Sequence, residues 1–372
     1  MAEDIGAEPL PILNCGMACQ FNSAEVVPLE DIGPYVQDAL DLVEFANGDT
    51  TTAWGRIRAK MGHLNPFHLK MMGIGNENWG PQYVARLEVF TRAIKSRYPD
   101  IKLVNSSGTD PNGSRFDYLN GELRRMNADI IDEHYYRTPD WFFSNARRYD
   151  HYPRNGTKVF CGEYAAQSVK AVSVDNKNTW LTALSEAAFM TGLERNADVV
   201  CMASYAPLFA HVDAWQWTPD LIWVNNLQSF GTPDYYVQKL YSLNRGTRVV
   251  PITLNNDALA GQDSLYASAC IDDATNELII KMVNASAIGQ SETILLNGAR
   301  KIAPQGQFTV LKCDDLHSVN SFDDPKKIAP VESLVPVKGG RISMTAAPYS
   351  FSIFRVKMNA PAGGGLIIEN RK

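Results

Sequence analysis

From the N-terminus to about residue 246, short apolar runs alternate with longer amphipathic stretches. The runs have the length of buried strands, and the stretches between them repeat apolar residues every three or four positions, as helices do. This pattern predicts strands at 10–13, 69–75, 101–104, 129–134, 158–164 and 198–206. Six βα units in series predict a parallel sheet, either doubly wound or part of a (β/α)8 barrel, and the strands alone do not decide between them.

After Arg248 the pattern changes to β-branched and aromatic segments separated by Asn, Asp and Gly. The segments at 265–271, 277–283, 307–311 and 350–356 show no helical period and are typical of strands. We therefore predict an α/β domain at 1–246 and an all-β sandwich at 247–358. The glycine run at 363–365 predicts a disordered tail over 359–372.

Charge and composition limit the classes of partner. The chain has 35 Lys and Arg against 41 Asp and Glu and no basic stripe, so we expect no nucleic acid partner. No apolar run approaches the roughly 20 residues that span a bilayer, and the first residues are acidic where a signal peptide would be basic. We expect no membrane partner, and the compartment stays open.

Metal and cofactor motifs are weak. His63 and His68 lie five apart with no acidic or thiol residue at a metal-ligand spacing, and the glycines at 73 and 75 lack the third glycine of a dinucleotide loop. We expect neither a metal nor a cofactor.

Two glutamates stand at the ends of predicted strands. Glu77 follows Gly75 and Asn76 after the second strand, and Glu163 follows Gly162 in the fifth. Parallel α/β enzymes place catalytic groups at such strand ends. Paired carboxyl groups are what the cleavage of a glycosidic bond needs, although each glutamate could instead form a salt bridge in a loop.

Aromatic residues near other strand ends agree with a sugar site. His134 and Tyr136 end the fourth strand, and Trp215, Trp217 and Trp223 lie in the loop after the sixth. Flat aromatic faces can stack on sugars, but these tryptophans could also form a hydrophobic lid or a domain interface. His134 could also be a hydrogen-bonded core histidine.

With these residues the sequence resembles the α-L-arabinofuranosidases of glycoside hydrolase family 51. The resemblance rests on motifs spread over most of the chain: GIGNE at 73–77 with Trp79, DEHYY at 132–136, GEYA at 162–165, PDLIW at 219–223 and YYVQ at 235–238. It implies a (β/α)8 barrel followed by a β-sandwich, and a retaining exo-arabinofuranosidase that removes terminal arabinofuranose from arabinan or arabinoxylan.

The resemblance also implies roles for individual residues. Glu77 would be the general acid/base and Glu163 the nucleophile, with their carboxyl groups about 5 Å apart. Substrate-binding residues would be Asn76 at the 2-hydroxyl, Tyr136 against the nucleophile, His134 in the same subsite, and Trp79 and Trp217 in the wall.

The sequence departs from the family at its start. If the strand before Glu77 is barrel strand 4, the fold is an incomplete (β/α)8 TIM-type barrel of strands 3 to 8 followed by the all-β sandwich. Open sheet edges would favour association, so a homo-oligomer is an open alternative. The alternatives for function are another retaining glycosidase of the same clan, an endoglucanase or xylosidase, and a truncated, inactive carbohydrate-binding fragment.

Overall fold

The computed structural model of the chain describes residues 2–154, 156–296, 300–338, 341–360 and 366–370. Its first sheet has six strands in the order β1-β2-β3-β4-β5-β6, which is also their order along the chain. The strands are β1 (Ile12–Leu13), β2 (Met71–Ile74), β3 (Lys102–Ser106), β4 (Ile130–Arg137), β5 (Lys158–Ala166) and β6 (Val200–Tyr205). Each lies within or close to one of the six predicted segments.

Seven helices accompany the strands. They are α1 (Gly33–Asn47), α2 (Ala53–Lys60), α3 (Pro81–Arg97), α4 (Ser114–Arg125), α5 (Pro139–Ser144), α6 (Trp180–Arg195) and α7 (Pro233–Leu243). Proline at the first or second position starts α1, α3, α5 and α7, where its missing N–H has no helical partner to lose. Together with the parallel pairing of β1 to β4, this confirms the predicted α/β class and the partial barrel.

Some elements of this half of the chain lie outside the simple alternation of one strand and one helix. Helix α2 is a second helix between β1 and β2, and α5 is only six residues long. The long loop after β6 holds a small sheet of β7 (Phe209–His211), β8 (Ile222–Val224) and β9 (Ser229–Gly231).

Two compact units divide the chain within strands β4 and β5. The first comprises Met1–Tyr135 and Pro153–Gly162. Its core is formed by apolar residues of β1 to β4 and of helices α1, α3 and α4, among them Val43, Ile74, Leu87 and Leu119, all fully buried.

The second unit comprises Tyr136–Tyr152 and Glu163–Lys372. Its helix α6 is enclosed by other elements, so that residue 180 and residues 182–193 of it are buried. The Trp180 indole donates to the carbonyl of Tyr349 at 2.9 Å, and Lys281 pairs with Glu194 at 2.5 Å. Helix α6 is therefore fixed to the β-strands of the same unit.

In the β-rich part of the second unit, twelve described strands are joined by backbone hydrogen bonds, and β16 pairs beside the main strand order. Its strands are β10 (Arg248–Val250), β11 (Ile252–Leu254), β12 (Asp257–Ala258), β13 (Leu265–Asp272), β14 (Glu277–Asn284), β15 (Gln290–Leu296), β16 (Arg300–Ile302), β17 (Gln305–Lys312), β18 (Val331–Lys338), β19 (Arg341–Ala346), β20 (Ser350–Ala360) and β21 (Leu366–Asn370). Strand β18 pairs with β17 along most of its length and with β19 at its end, so it joins the two layers. Apolar residues from both layers share one core, which confirms the predicted sandwich.

The prediction of a disordered tail over 359–372 is wrong for the part that the structure describes. Strand β20 continues to Ala360, and β21 pairs with β11 and β15. Leu366 is buried in the sandwich core, so this part of the tail is held by apolar burial and by strand pairing. Residues 361–365 and 371–372 lie outside the described residues.

Among the described residues, the structure contains no helix that is both long enough and apolar enough to span a membrane.

Candidate active site

The loop after β2 holds Glu77 in a constrained conformation. Glu77 has a φ of +54°, a left-handed value that non-glycine residues adopt at a cost of about 1–3 kcal/mol. Gly75 has a φ of +73°, and a Cβ there would lie 2.7 Å from Oδ1 of Asn78. That Oδ1 accepts the backbone N–H of Asn76 at 3.1 Å. Buried Asn78 thus closes the turn, while Asn76 is exposed.

Groups beneath the turn hold it in place. The Tyr83 hydroxyl donates to the carbonyl of Ile74 at 2.6 Å and accepts the N–H of Ser106 at 2.8 Å. The Ser106 hydroxyl donates to the carbonyl of Asn78 at 3.2 Å. Burial raises the pKa of Tyr83 well above its ordinary value and that of Cys15, beside Asn78, to about 11, so both remain protonated at neutral pH.

His134 contacts Glu77 directly. Its Nδ1 lies 2.9 Å from Oε1 of Glu77, and its Nε2 lies 3.2 Å from Oδ2 of Asp132. The imidazole is almost completely buried, and the Glu77 side chain is 22% exposed. Both ring nitrogens of this histidine therefore face carboxylate oxygens.

Trp79 is packed by protein groups close to Glu77. Its ring lies 4.9 Å from that of Phe21 and 4.2 Å from the Arg115 guanidinium. The Gln20 amide bonds both the N–H and the carbonyl of Trp79, at 2.8 and 3.2 Å. The sequence predicts a wall for the sugar here, and the structure places the Trp79 ring between the Arg115 guanidinium and the tilted ring of exposed Phe21.

In the second unit, Glu163 lies within β5 and is half-buried. The Tyr136 hydroxyl donates to its Oε2 at 2.7 Å, a charge-assisted bond if Glu163 is ionised. The rings of Tyr136 and Trp217 lie 5.3 Å apart, edge to face. The Trp217 indole nitrogen is buried without a hydrogen-bond partner among the described residues. The ring centroids of Trp215 and Trp223 lie 6.3 Å apart, in an edge-to-face arrangement.

A buried polar network supports the end of β5. Glu186 accepts the N–H of Ala166 at 2.8 Å and the amide of Gln238 at 3.1 Å, and Gln238 accepts the Tyr164 hydroxyl at 2.7 Å. Burial raises the pKa of Glu186 well above its ordinary value and that of neighbouring Asp234 to about 7. These two carboxyl groups therefore hold a proton near neutral pH.

The structure places the predicted residues in two groups. Glu77, Asn76, Trp79 and His134 belong to the first unit, where Glu77 contacts His134; Glu163, Tyr136 and Trp217 belong to the second, where Tyr136 contacts the other two. The sequence reading gave no role to Asp132, although residues two apart on a strand share a face, and this spacing from His134 could have indicated the contact.

A six-stranded parallel α/β sheet with one glutamate just after β2 and another in the carboxyl half of β5, followed by a β-sandwich, is the architecture of a barrel glycoside hydrolase. The sequence models of the α-L-arabinofuranosidase 1 domain and the α-L-arabinofuranosidase C-terminal domain match residues 1–154 and 162–350. The chain belongs to the α-L-arabinofuranosidases of glycoside hydrolase family 51.

Individual relatives agree with this family. An extracellular exo-α-L-arabinofuranosidase of Streptomyces chartreusis is 49% identical over 67% of this chain and 29% of its own length. α-L-Arabinofuranosidase 1 of Arabidopsis thaliana is 37% identical over 95% of this chain and 50% of its own. The chain spans about half the length, or less, of these relatives.

Solved structures show the same fold. An arabinose-bound family 51 α-L-arabinofuranosidase is 32% identical, with a TM-score of 0.85 over 96% of this chain and 56% of that one. The arabinose complex of the enzyme from Thermotoga maritima has a TM-score of 0.74 at 19% identity, over 95% of this chain and 76% of that one.

Proposed function

We propose that the chain carries the active site of a retaining exo-α-L-arabinofuranosidase, with Glu77 as general acid/base and Glu163 as nucleophile. One observation carries this assignment: Glu77 follows the carboxyl end of β2, Glu163 lies in the carboxyl half of β5 of the same parallel sheet, and each has a different hydrogen-bond partner. Carboxyl ends of parallel strands share one edge of a sheet, where α/β enzymes hold their substrates.

The two partners suit two different tasks. An imidazole can give and take a proton, so the His134 contact suits a glutamate that must carry a proton in one step and lose it in the next. A tyrosine hydroxyl only donates to a carboxylate at neutral pH, so the Tyr136 contact suits a glutamate that reacts as the anion.

The reaction follows in two steps. Glu163 attacks the anomeric carbon while Glu77 gives its proton to the glycosidic oxygen, which breaks the bond to the leaving group and forms a glycosyl ester on Glu163. Glu77, now ionised, takes a proton from water, and the resulting hydroxide equivalent attacks the same carbon and releases Glu163. Two inversions leave the anomeric configuration unchanged.

The proposed substrate is the terminal arabinofuranose of arabinan or arabinoxylan. Two named relatives support an arabinose-containing substrate, since one is an exo-α-L-arabinofuranosidase and one structure holds arabinose. The proposed groups that contact the sugar are exposed Asn76, Trp79 beside Phe21, and Trp217, whose indole nitrogen has no hydrogen-bond partner among the described residues.

The test compares nitrophenyl α-L-arabinofuranoside, xyloside and cellobioside as substrates of the purified chain. We expect turnover of the arabinofuranoside above the other two, release of the retained anomer by NMR, and loss of turnover in Glu163→Gln. Glu77→Ala should slow substrates with poor leaving groups more than activated ones, because only the former need protonation.

Glu122→Gln is the matched control, since Glu122 is a surface residue of α4 paired with Arg125. Its turnover should equal that of the unmodified chain. Arabinofuranoside as the poorest of the three substrates, or Glu163→Gln as active as Glu122→Gln, would contradict the proposal.

A further inference from the structure

Asp132, His134 and Glu77 contact one another in that order, so Asp132 reaches Glu77 through the histidine. It lies on β4, two residues before His134, and its side chain is mostly buried. Its Oδ2 faces Nε2 of the His134 ring, whose Nδ1 faces Oε1 of Glu77. All three residues belong to the first compact unit, so this set of contacts is a local feature of that unit.

The surrounding residues make room for this carboxylate. Ser107 fixes the Asp132 carbonyl with its N–H at 2.9 Å and its hydroxyl at 2.8 Å. At Gly162 a Cβ would lie only 2.0 Å from Oδ1 of Asp132, so no larger residue fits while the carboxylate keeps its place. The glycine that precedes Glu163 is therefore explained by Asp132.

The placement carries a cost. Oδ1 of Asp132 is buried and has no hydrogen-bond partner among the described residues. A buried polar atom without a partner destabilises the folded state, and a purely structural position would avoid this with an apolar or smaller residue. A cost of this kind next to a reactive group indicates a functional role.

From this geometry we propose that Asp132 is a positioning residue: it fixes a hydrogen on Nε2 of His134 and so makes Nδ1 the nitrogen that shares a proton with Glu77. An ionised carboxylate can only accept, so Nε2 must donate to it. One mobile proton then remains between Nδ1 and Oε1. In the same way, the third member of a catalytic triad fixes the tautomer of its histidine.

The proposal rests on the acid/base role proposed for Glu77, and its first test is kinetic. In Asp132→Asn the amide can present either a donor or an acceptor to Nε2, so neither tautomer is fixed. We expect kcat/KM to fall about 10–100-fold for an arabinofuranoside with a poor alkyl leaving group, and less than about 3-fold for an activated aryl one.

Asp129→Asn is the matched control. Asp129 lies three residues earlier, just before β4, and pairs with Lys95 at 2.7 Å, away from the histidine. Its variant should lose activity equally, and little, on both substrates. Equal losses on the two substrates in Asp132→Asn would overturn the positioning role, because a structural defect does not distinguish leaving groups.

A second readout is independent of turnover. Nitrogen NMR of the ¹⁵N-histidine-labelled full chain reports which ring nitrogen of His134 bears hydrogen, with His134→Gln providing the assignment. The unmodified chain should show hydrogen on Nε2, and Asp132→Asn should lose that preference. A bare Nε2 in the unmodified chain overturns the proposal, whether or not the chain is active. An inactive chain with the expected spectrum contradicts the proposed function alone.

Discussion

A substitution at Gly75 tests whether the loop that carries Glu77 is packed as tightly as the structure shows. In Gly75→Ala the new Cβ would lie 2.7 Å from Asn78 Oδ1, 2.8 Å from the Tyr83 ring and 3.0 Å from Cys15 Sγ. Gly108 offers a matched comparison. Its φ of +79° is close to the +73° of Gly75, but a Cβ there would meet only atoms at 3.5 Å.

Both variants place an alanine at a positive φ, and they differ in how close the neighbouring atoms lie to the new Cβ. An L-residue in the left-handed region costs about 1–2 kcal/mol, and we expect Gly108→Ala to lose that amount. Crowding in a packed site adds about 1–3 kcal/mol, so we expect Gly75→Ala to lose about 2–5 kcal/mol. At roughly 2–4 °C per kcal/mol, the melting temperature of Gly75→Ala should fall several degrees below that of Gly108→Ala.

Activity should separate the variants further. Gly75 lies two residues before Glu77, and a misplacement of about 1 Å can cost a reaction about 100-fold. We expect Gly75→Ala to lose about 10–100-fold in kcat and Gly108→Ala to stay within about 3-fold, measured with an arabinofuranoside at saturation. If the two variants are equally stable and equally active, the description of the Glu77 loop as a tightly packed turn is wrong.

Three further predictions concern stability. Arg58 is buried, and its guanidinium donates to backbone carbonyls. Arg58→Met should therefore lower the free energy of unfolding by about 3–5 kcal/mol in chemical denaturation. Arg56→Met, at an exposed position of the same helix, should change it little. Burial raises the pKa of Asp234 to about 7. The stability that comes from its protonated form is therefore fully present below about pH 4 and is lost as the pH rises through 7. Asp234→Asn should flatten this decline of the melting temperature in thermal scans from pH 5 to 8, and an unchanged slope would refute the raised pKa. Gly121 lies in the interior of α4 with open space around its Cα, so Gly121→Ala should raise the free energy of unfolding by about 0.5–1 kcal/mol, and a loss in the same denaturation assay would contradict the helical assignment there.

Those features of the fold that depend on neighbours along the chain could be predicted from the sequence. Strands of the first sheet are continuous apolar runs, and the change to Gly, Asn and Glu near their carboxyl ends is the signal that makes Glu77 and Glu163 candidates. Helix α2 was missed because its buried face rests on a glycine and an arginine, Gly55 and Arg58, which carry no hydrophobic period. The guanidinium of Arg58 replaces an apolar core there by bonding carbonyls at the end of α1 and in the loops that flank α2.

The partners of the candidate catalytic residues depend instead on which residues face each other across strands, and a single sequence carries little information on that. Ser106 lies opposite Asp132 in the pairing of β3 with β4, and Gly162 leaves the space that the Asp132 carboxylate fills. In the sequence, Asp132 is one more residue of the DEHYY motif, and Gly162 is one of 26 glycines. The contact between them accounts for both: the acid needs a neighbouring strand without a side chain, and the glycine is needed because the acid must reach the histidine beside Glu77. The residue proposed to orient the partner of Glu77 is therefore identified from this contact between two strands, since the sequence assigns it no role of its own.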